Sequence, residues 1–195
     1  MSRYIISDHH FGRLQVIEDT DRSFDSITKM NRVLLNRHYR TVGEDDTIIH
    51  LGDVATDTRD GSETIAFFNH LDGDMLIRGD HDASLDAADA PFPVVQSCIL
   101  EHGERRFYCT HQPETIPPDW DEWAIHGYVC DNPEDFPFIA YDDRRINVSS
   151  ELLNYRPITL KTLEHILDCC SPGSRFRDIT AARATLGEHR LGNDT

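Results

Sequence analysis

Lysine is almost missing from this sequence, with two among 195 residues beside 17 arginines, 24 aspartates and 11 glutamates. The resulting formal charge of −16 argues against broad binding to the phosphate backbone of DNA or RNA, which depends on clustered cations. It is equally unsuited to an anionic membrane surface. Long apolar runs are missing too: nothing approaches the roughly 20 consecutive apolar residues that span a bilayer. The opening MSRYIISDHHFG reaches an acid at Asp8, too early for the apolar stretch of a signal peptide. Cysteine is sparse and odd in number, at positions 98, 109, 130, 169 and 170 with no C-x-x-C pair, which fits reduced thiols better than a disulfide framework. The expected setting is the cytoplasm. Scarce lysine with abundant aspartate suits a halophile, whose acidic surfaces stay soluble in concentrated salt; an acidic mesophilic protein is the alternative.

What is present reads as one domain, over residues 1–170, with a polar, mobile tail over 171–195. RYIIS (3–7) is a short buried strand. Ile27, Met30, Leu34 and His38 recur at helical spacing, predicting a helix from Ser23, as cap, to about Val42. DDTIIHLGDV (45–54) and MLIRGDHD (75–82) are further strands, separated by a helix capped by Ser62. VVQSCILEHGERRFYCTH (94–111) predicts a hairpin turned at His102-Gly103-Glu104, and TLKTLEHIL (159–167) a helix capped by Thr159. An early βαβαβ run followed by several strands implies an α/β or α+β layered sandwich.

The chemistry lies where strands end. Three apolar strands each run into acid and histidine, as S-D-H-H, L-G-D-V and R-G-D-H-D. In βα units the carboxyl ends of the strands gather on one edge of the sheet, so Asp8, His10, Asp53, Asp80 and His81 should converge. A single Asp at a strand end is ordinarily a cap or turn residue, but five such groups after three strands exceed what capping needs. Mixed carboxylate and imidazole donors suit Mn, Fe, Zn or Ni rather than Ca or Mg alone. His111, in C-T-H at another strand end, is a further candidate ligand.

These blocks, Asp8-His9-His10, Gly52-Asp53, Gly79-Asp80-His81-Asp82, His111 and Gly127-Tyr128-Val129-Cys130, resemble in order and spacing the calcineurin-like metallophosphoesterases, with the pattern D-x-H, G-D, G-N-H-[DE], H and G-H-x-H. The stretch NVSSELLNYRPITL looks like the tail of a small predicted-phosphoesterase branch of bacteria, archaea and phages. The resemblance implies a four-layer α/β/β/α sandwich holding two divalent ions. Asp8, His10, Asp53 and the residue at 130 would hold the first ion, and Asp53 would bridge. Asp80, His111 and the residue at 128 would complete the second. His81, assisted by Asp82, would protonate the leaving group while a hydroxide shared by the two ions attacks phosphorus. The implied activity is hydrolysis of a small phosphomonoester or phosphodiester.

The chain departs from that pattern at three ligand positions, where Asp80, Tyr128 and Cys130 replace Asn and two His. All three remain capable of ligation. Cys130 as thiolate would favour Zn or Fe, whereas the Tyr128 phenol is a poor ligand near neutral pH. His126, on the same face, is either an alternative donor or a hydrogen-bonded core histidine. The competing reading is a degenerate member that binds one ion or none and serves as a metal-binding or protein-binding scaffold. Arg105-Arg106 could hold a phosphate or act as surface counter-charges. His9 should be exposed or a supporting donor.

Overall fold

The computed structural model describes residues 1–20, 22–127 and 135–187. The candidate ligands Tyr128 and Cys130 lie outside the described residues, as does the end of the chain from residue 188.

β1 (Arg3–Ile6) is followed by a short helix, α1 (Gln15–Asp19), and by α2 (Ile27–Tyr39). α2 buries Met30, Leu34 and His38, at the spacing the sequence predicts. Its cap is Ser26 and not Ser23. Ser26 sits directly ahead of the first turn, where its hydroxyl accepts the otherwise unpaired Lys29 amide. β2 (Thr47–His50), α3 (Ser62–His70), β3 (Met75–Ile77) and β4 (Val94–Val95) come next. Ser62 is the first residue of α3 and does not cap it; its hydroxyl donates to Asp60 at 2.7 Å, and left-handed Gly61 takes the cap position. β5 (Ser97–His102) and β6 (Arg105–Thr110) form the predicted hairpin. β7 (Trp123–His126), β8 (Ile139–Ala140), β9 (Arg145–Asn147) and β10 (Ile158–Thr159) follow. The chain continues through α4 (Leu160–Cys169), capped by Thr159, then β11 (Arg175–Phe176) and α5 (Ile179–Leu186).

Two sheets result, ordered β10-β1-β2-β3-β4 and β11-β8-β9-β7-β6-β5. Isoleucines and leucines of the first sheet, among them Ile5, Ile49 and Ile77, share a core with Phe107, Ile125 and Ile146 of the second. On the far side of the first sheet, Met30 and Leu34 of α2 and Phe68 of α3 pack with Phe11 and Leu76. The architecture is thus α/β, with two sheets and a helical layer outside the first. The helices α4 and α5 touch both sheets, α4 against β1, β10 and β5, and α5 against β11.

Residues 171–187 differ from the expected polar, mobile tail. Phe176, Ile179 and Ala182 recur every three residues and enter the main core. Asp178 caps α5 by accepting the Ala181 amide at 2.8 Å. Three apolar side chains in a polar stretch were enough to dock it.

The first sheet positions the site. β1, β2 and β3 are adjacent and parallel, with Ile6 opposite His50 and His50 opposite Leu76. Their carboxyl ends, and the polar loops that follow, therefore lie side by side.

Candidate metal centre

The loop after β1 carries Asp8 and His10, and the loop after β2 carries Asp53. All three adopt left-handed backbone, with φ of 58°, 52° and 58°. For residues other than glycine this costs about 1–3 kcal/mol each and persists only where the surroundings impose it. Here the loops fix one another: the Asp8 amide donates to Gly52 O at 3.0 Å and the His10 amide to Asp53 O at 3.0 Å. Gly52, itself at φ 91°, is required by crowding. A Cβ there would come within 2.6 Å of the Gly79 backbone and 2.7 Å of His111 Nδ1. The absence of that side chain lets the ends of β2, β3 and β6 close on one point.

At that point two groups of donors share Asp53. Asp8, Asp53 and His111 form one and His10, Asp53 and His81 the other, each with its ligand atoms within 4.8 Å of one another. His10 Nε2 stands 3.8 Å from Asp8 Oδ1 and 3.6 Å from Asp53 Oδ2, and His111 Nε2 stands 3.5 Å from Asp53 Oδ1. These separations are long for hydrogen bonds. They match donors on a common shell, because two ligands each about 2.1 Å from one ion lie roughly 3–3.7 Å apart. The set of buried carboxylates and imidazoles thus fits divalent metal. His111 Nδ1 donates to Leu51 O at 2.7 Å, which fixes the ring and leaves Nε2 directed at Asp53.

Electrostatics agree with that fit. Burial, reinforced by the Asp8 charge, pushes the Asp53 carboxyl up to about 7 despite the opposing pull of His111. Burial lowers the His111 imidazole, but the Asp8 and Asp53 carboxylates outweigh it and raise the group overall. Positive charge is what this cluster is short of. His10 is held well below the ordinary histidine range, by burial first and then by the Arg22 cation, so its ring is neutral and able to ligate.

His81 stands at the mouth of the centre, its ring edge-on to His10 at 5.3 Å. Its Nε2 meets Nη1 of Arg13. Burial, then Arg13, lowers its pKa, against the opposing pull of Asp80 and Asp82. The Asp82 carboxylate acts on the His81 ring through its charge and hydrogen-bonds to backbone instead, accepting the amides of Asp53 at 2.7 Å, Gly79 at 3.0 Å and Val54 at 3.3 Å. A short 3-10 turn, Asp80–Asp82, carries it beneath the loop. Asp80 is exposed at the rim and accepts from Gln112 Nε2 at 2.7 Å, so it joins neither donor group. His126 is buried on β7 and outside both groups. Its Nδ1 donates to Gly127 O at 2.9 Å, and burial lowers its pKa to about 4. Gly127 itself abuts the centre, since a Cβ there would come within 2.7 Å of Asp8 Oδ2.

Three residues were missed from the sequence. Arg13 is one. Arg22 and Glu151 form a buried ion pair, and Arg22 also donates to the carbonyls of Asp8 and, at 2.6 Å, His9. Nothing in the local pattern marks these residues, because 129 positions separate Arg22 from Glu151. His9 is fully buried, with Nδ1 2.8 Å from His50 Nε2, so of its two expected settings the exposed one does not hold. Arg105 and Arg106 are counter-charges, to Asp168 at 2.6 Å and Glu122 at 3.0 Å.

The calcineurin-like phosphoesterase family matches residues 1–167 of this chain. The chain belongs to that family. An uncharacterized protein of Methanocaldococcus jannaschii is 27% identical over 168 residues, covering 85% of this chain and 90% of that protein. The crystal structure of a protein of unknown function from Aquifex aeolicus superposes with a TM-score of 0.61 at 22% identity, covering 84% of this chain and 97% of that one. The fold is shared with the latter, and the phosphoesterase family accounts for the carboxylate and histidine cluster at the strand ends.

Proposed function

We propose that this family member is an active metal-dependent phosphoesterase that hydrolyses a small phosphomonoester or phosphodiester. The observation that carries the reading is the sharing of Asp53 by two donor groups, one of them completed by the half-buried His81. Asp8 and His10 would hold one divalent ion with Asp53, and His111 the other, drawn from Mn, Fe, Zn or Ni; His10 Nε2 lies 3.8 Å from Asp8 Oδ1 and 3.6 Å from Asp53 Oδ2. When bound, the ions supply Lewis-acid activation of water and neutralise phosphate charge. The remaining work falls to the chain's own residues. Arg13, beside His81 Nε2, would donate to a phosphoryl oxygen and orient the ester. His81 would then pass a proton to the leaving oxygen. Asp82 holds the Asp53 loop in place through its three amide bonds. Asp80, released from Gln112, and the residues at 128 and 130 would complete the ion shells.

The net charge of −16 favours a small phosphorylated substrate over nucleic acid, and with two lysines it suits a cytoplasm rich in salt. No helix among the described residues is long and apolar enough to cross a membrane.

The test is elemental analysis of the purified protein together with hydrolysis of p-nitrophenyl and bis-p-nitrophenyl phosphate under Mn, Ni or Zn. The expected result is about two ions per chain, as a bridged centre requires, and turnover that His81→Ala abolishes while the ions stay. One ion or none, without turnover under any metal, would mean a degenerate member that acts by binding.

A further inference from the structure

Beside the metal centre lies a cavity of about 350 Å³ that the reaction as described leaves unused. Gly79, Asp80, His111, Arg78, Tyr108 and Gln112 help to line it, so it adjoins the donor His111. Arg78 is the last residue before the Gly79 turn at the end of β3. Its Nη2 donates to Leu85 O at 2.7 Å, which anchors the guanidinium from behind. Its Nε is buried and has no hydrogen-bond partner among the described residues.

Among the described residues no carboxylate stands within 4.0 Å of Arg78, in contrast to the ion-paired Arg22, Arg105, Arg106 and Arg175. A half-buried guanidinium that faces a cavity in a chain of −16, with acids abundant yet none placed on it, is poised for an external anion. Asp80, the acid on the cavity wall, is turned onto Gln112 at 2.7 Å. The wall also carries the Ser97 hydroxyl, which accepts from the Tyr108 hydroxyl at 3.0 Å and so keeps its own proton to donate.

We propose that this cavity binds a second anionic group of the substrate, a carboxylate or a second phosphate, on the alcohol side of the ester, and that Arg78 holds it. The inference deepens the phosphoesterase reading and rests on it. The cavity is near the lower limit of about 300 Å³ for small-molecule pockets. It therefore admits a compact acid of a few carbons and excludes a polymer. Arg78 is a specificity residue in this scheme: it selects which phosphoester sits at the centre and takes no part in bond cleavage.

The test is calorimetric binding to the metal-loaded full chain, with probes that share a three-carbon skeleton. Glycerol 3-phosphate lacks a second anion, 3-phosphoglycerate carries a carboxylate, and propane-1,3-diol bisphosphate carries a second phosphate. At least one doubly anionic probe should bind about tenfold or more tighter than glycerol 3-phosphate, and the better of the two identifies the anion. Arg78→Met should collapse that ratio to about one, whereas Arg78→Lys, which keeps the charge, should retain part of it. Equal affinities in the native chain, a ratio that survives Arg78→Met, or no binding of any probe would overturn the proposal. Should Arg78→Met fail to fold by circular dichroism, the native ratio and Arg78→Lys decide. p-Nitrophenyl phosphate turnover is read in parallel. A tenfold preference without turnover would refute the esterase reading and leave the anion site standing.

Discussion

The Asp82 carboxylate accepts the backbone amide of Asp53 at 2.7 Å, so one acid fixes the loop that carries the shared metal ligand. Its other bonds, to the amides of Gly79 and Val54 and to the Thr64 hydroxyl at 3.3 Å, join the ends of β2 and β3 to α3. Burial raises the Asp82 carboxyl, and the Gly79 and Asp53 amides oppose that shift. Asp82→Ala would leave these amides buried without acceptors, at about 1–3 kcal/mol each. The expected outcome is a large loss of stability in urea, with weakened metal uptake. If Asp82 instead served only to polarise His81, the variant would keep native stability and lose turnover alone.

Arg22 clamps the neighbouring loop from below. It pairs with Glu151 and donates to the carbonyls of Asp8 and His9, which holds the loop in which Asp8 and His10 adopt left-handed backbone. Arg22→Met should cost roughly 3 kcal/mol, the lower end for a buried pair, because the half-buried Glu151 is left without its partner. Adding Glu151→Leu should recover part of that loss in denaturant melts, since the second change removes the orphaned charge. Metal affinity should stay low in the double variant, as neither replacement can hold the Asp8 and His9 carbonyls. Full recovery of both stability and metal uptake would show that the clamp is dispensable.

Acid should unfold the metal-free chain through its buried histidines. His50 is pushed down to about 3 by burial, with His111 adding to the shift. A base with a depressed pKa stays neutral when folded and takes a proton when unfolded. Its contribution is therefore complete above the unfolded pKa of 6.5 and falls as pH drops towards 3. The slope is about 1.4 kcal/mol per pH unit. Asp53, raised to about 7, titrates with the opposite sign, so a comparison with His50→Gln isolates the histidine. Urea melts between pH 7 and 4.5 should show a shallower loss in His50→Gln than in the native chain; parallel curves would exclude this role.

The parts of the molecule legible in the sequence were those set by local pattern. β1, β2 and β3 announced themselves as apolar runs, and parallel pairing then forced Asp8, Asp53 and His81 to one edge. Thr159 capped its helix because capping depends on residues three apart. Ser23 and Ser62 misled for the same reason, since a nearer serine or a glycine met the need first. Arg22 and Glu151 were illegible, because their partnership is purely tertiary. Asp82 was recognised as part of the site, but a sequence cannot show which way a carboxylate turns. The Asp82 oxygens point down to backbone amides rather than out to a ring.

The bridging role proposed for Asp53 makes a prediction that separates it from every other candidate ligand. Asp53 belongs to both donor groups, whereas His111 belongs to one and His10 to the other. In the native chain Asp53 Oδ1 also accepts the His81 amide at 2.9 Å, so the carboxylate is held in orientation before metal arrives. Asp53→Asn keeps the shape and one oxygen but removes the charge, and it should lower occupancy at both positions together. His111→Ala should empty one position and leave the other, so that metal content falls by about half for a dinuclear centre. Elemental analysis after dialysis against a weak chelator reads this directly. Equal loss in both variants would mean a single ion held by the whole cluster, with Asp53 one ligand among several and no bridge.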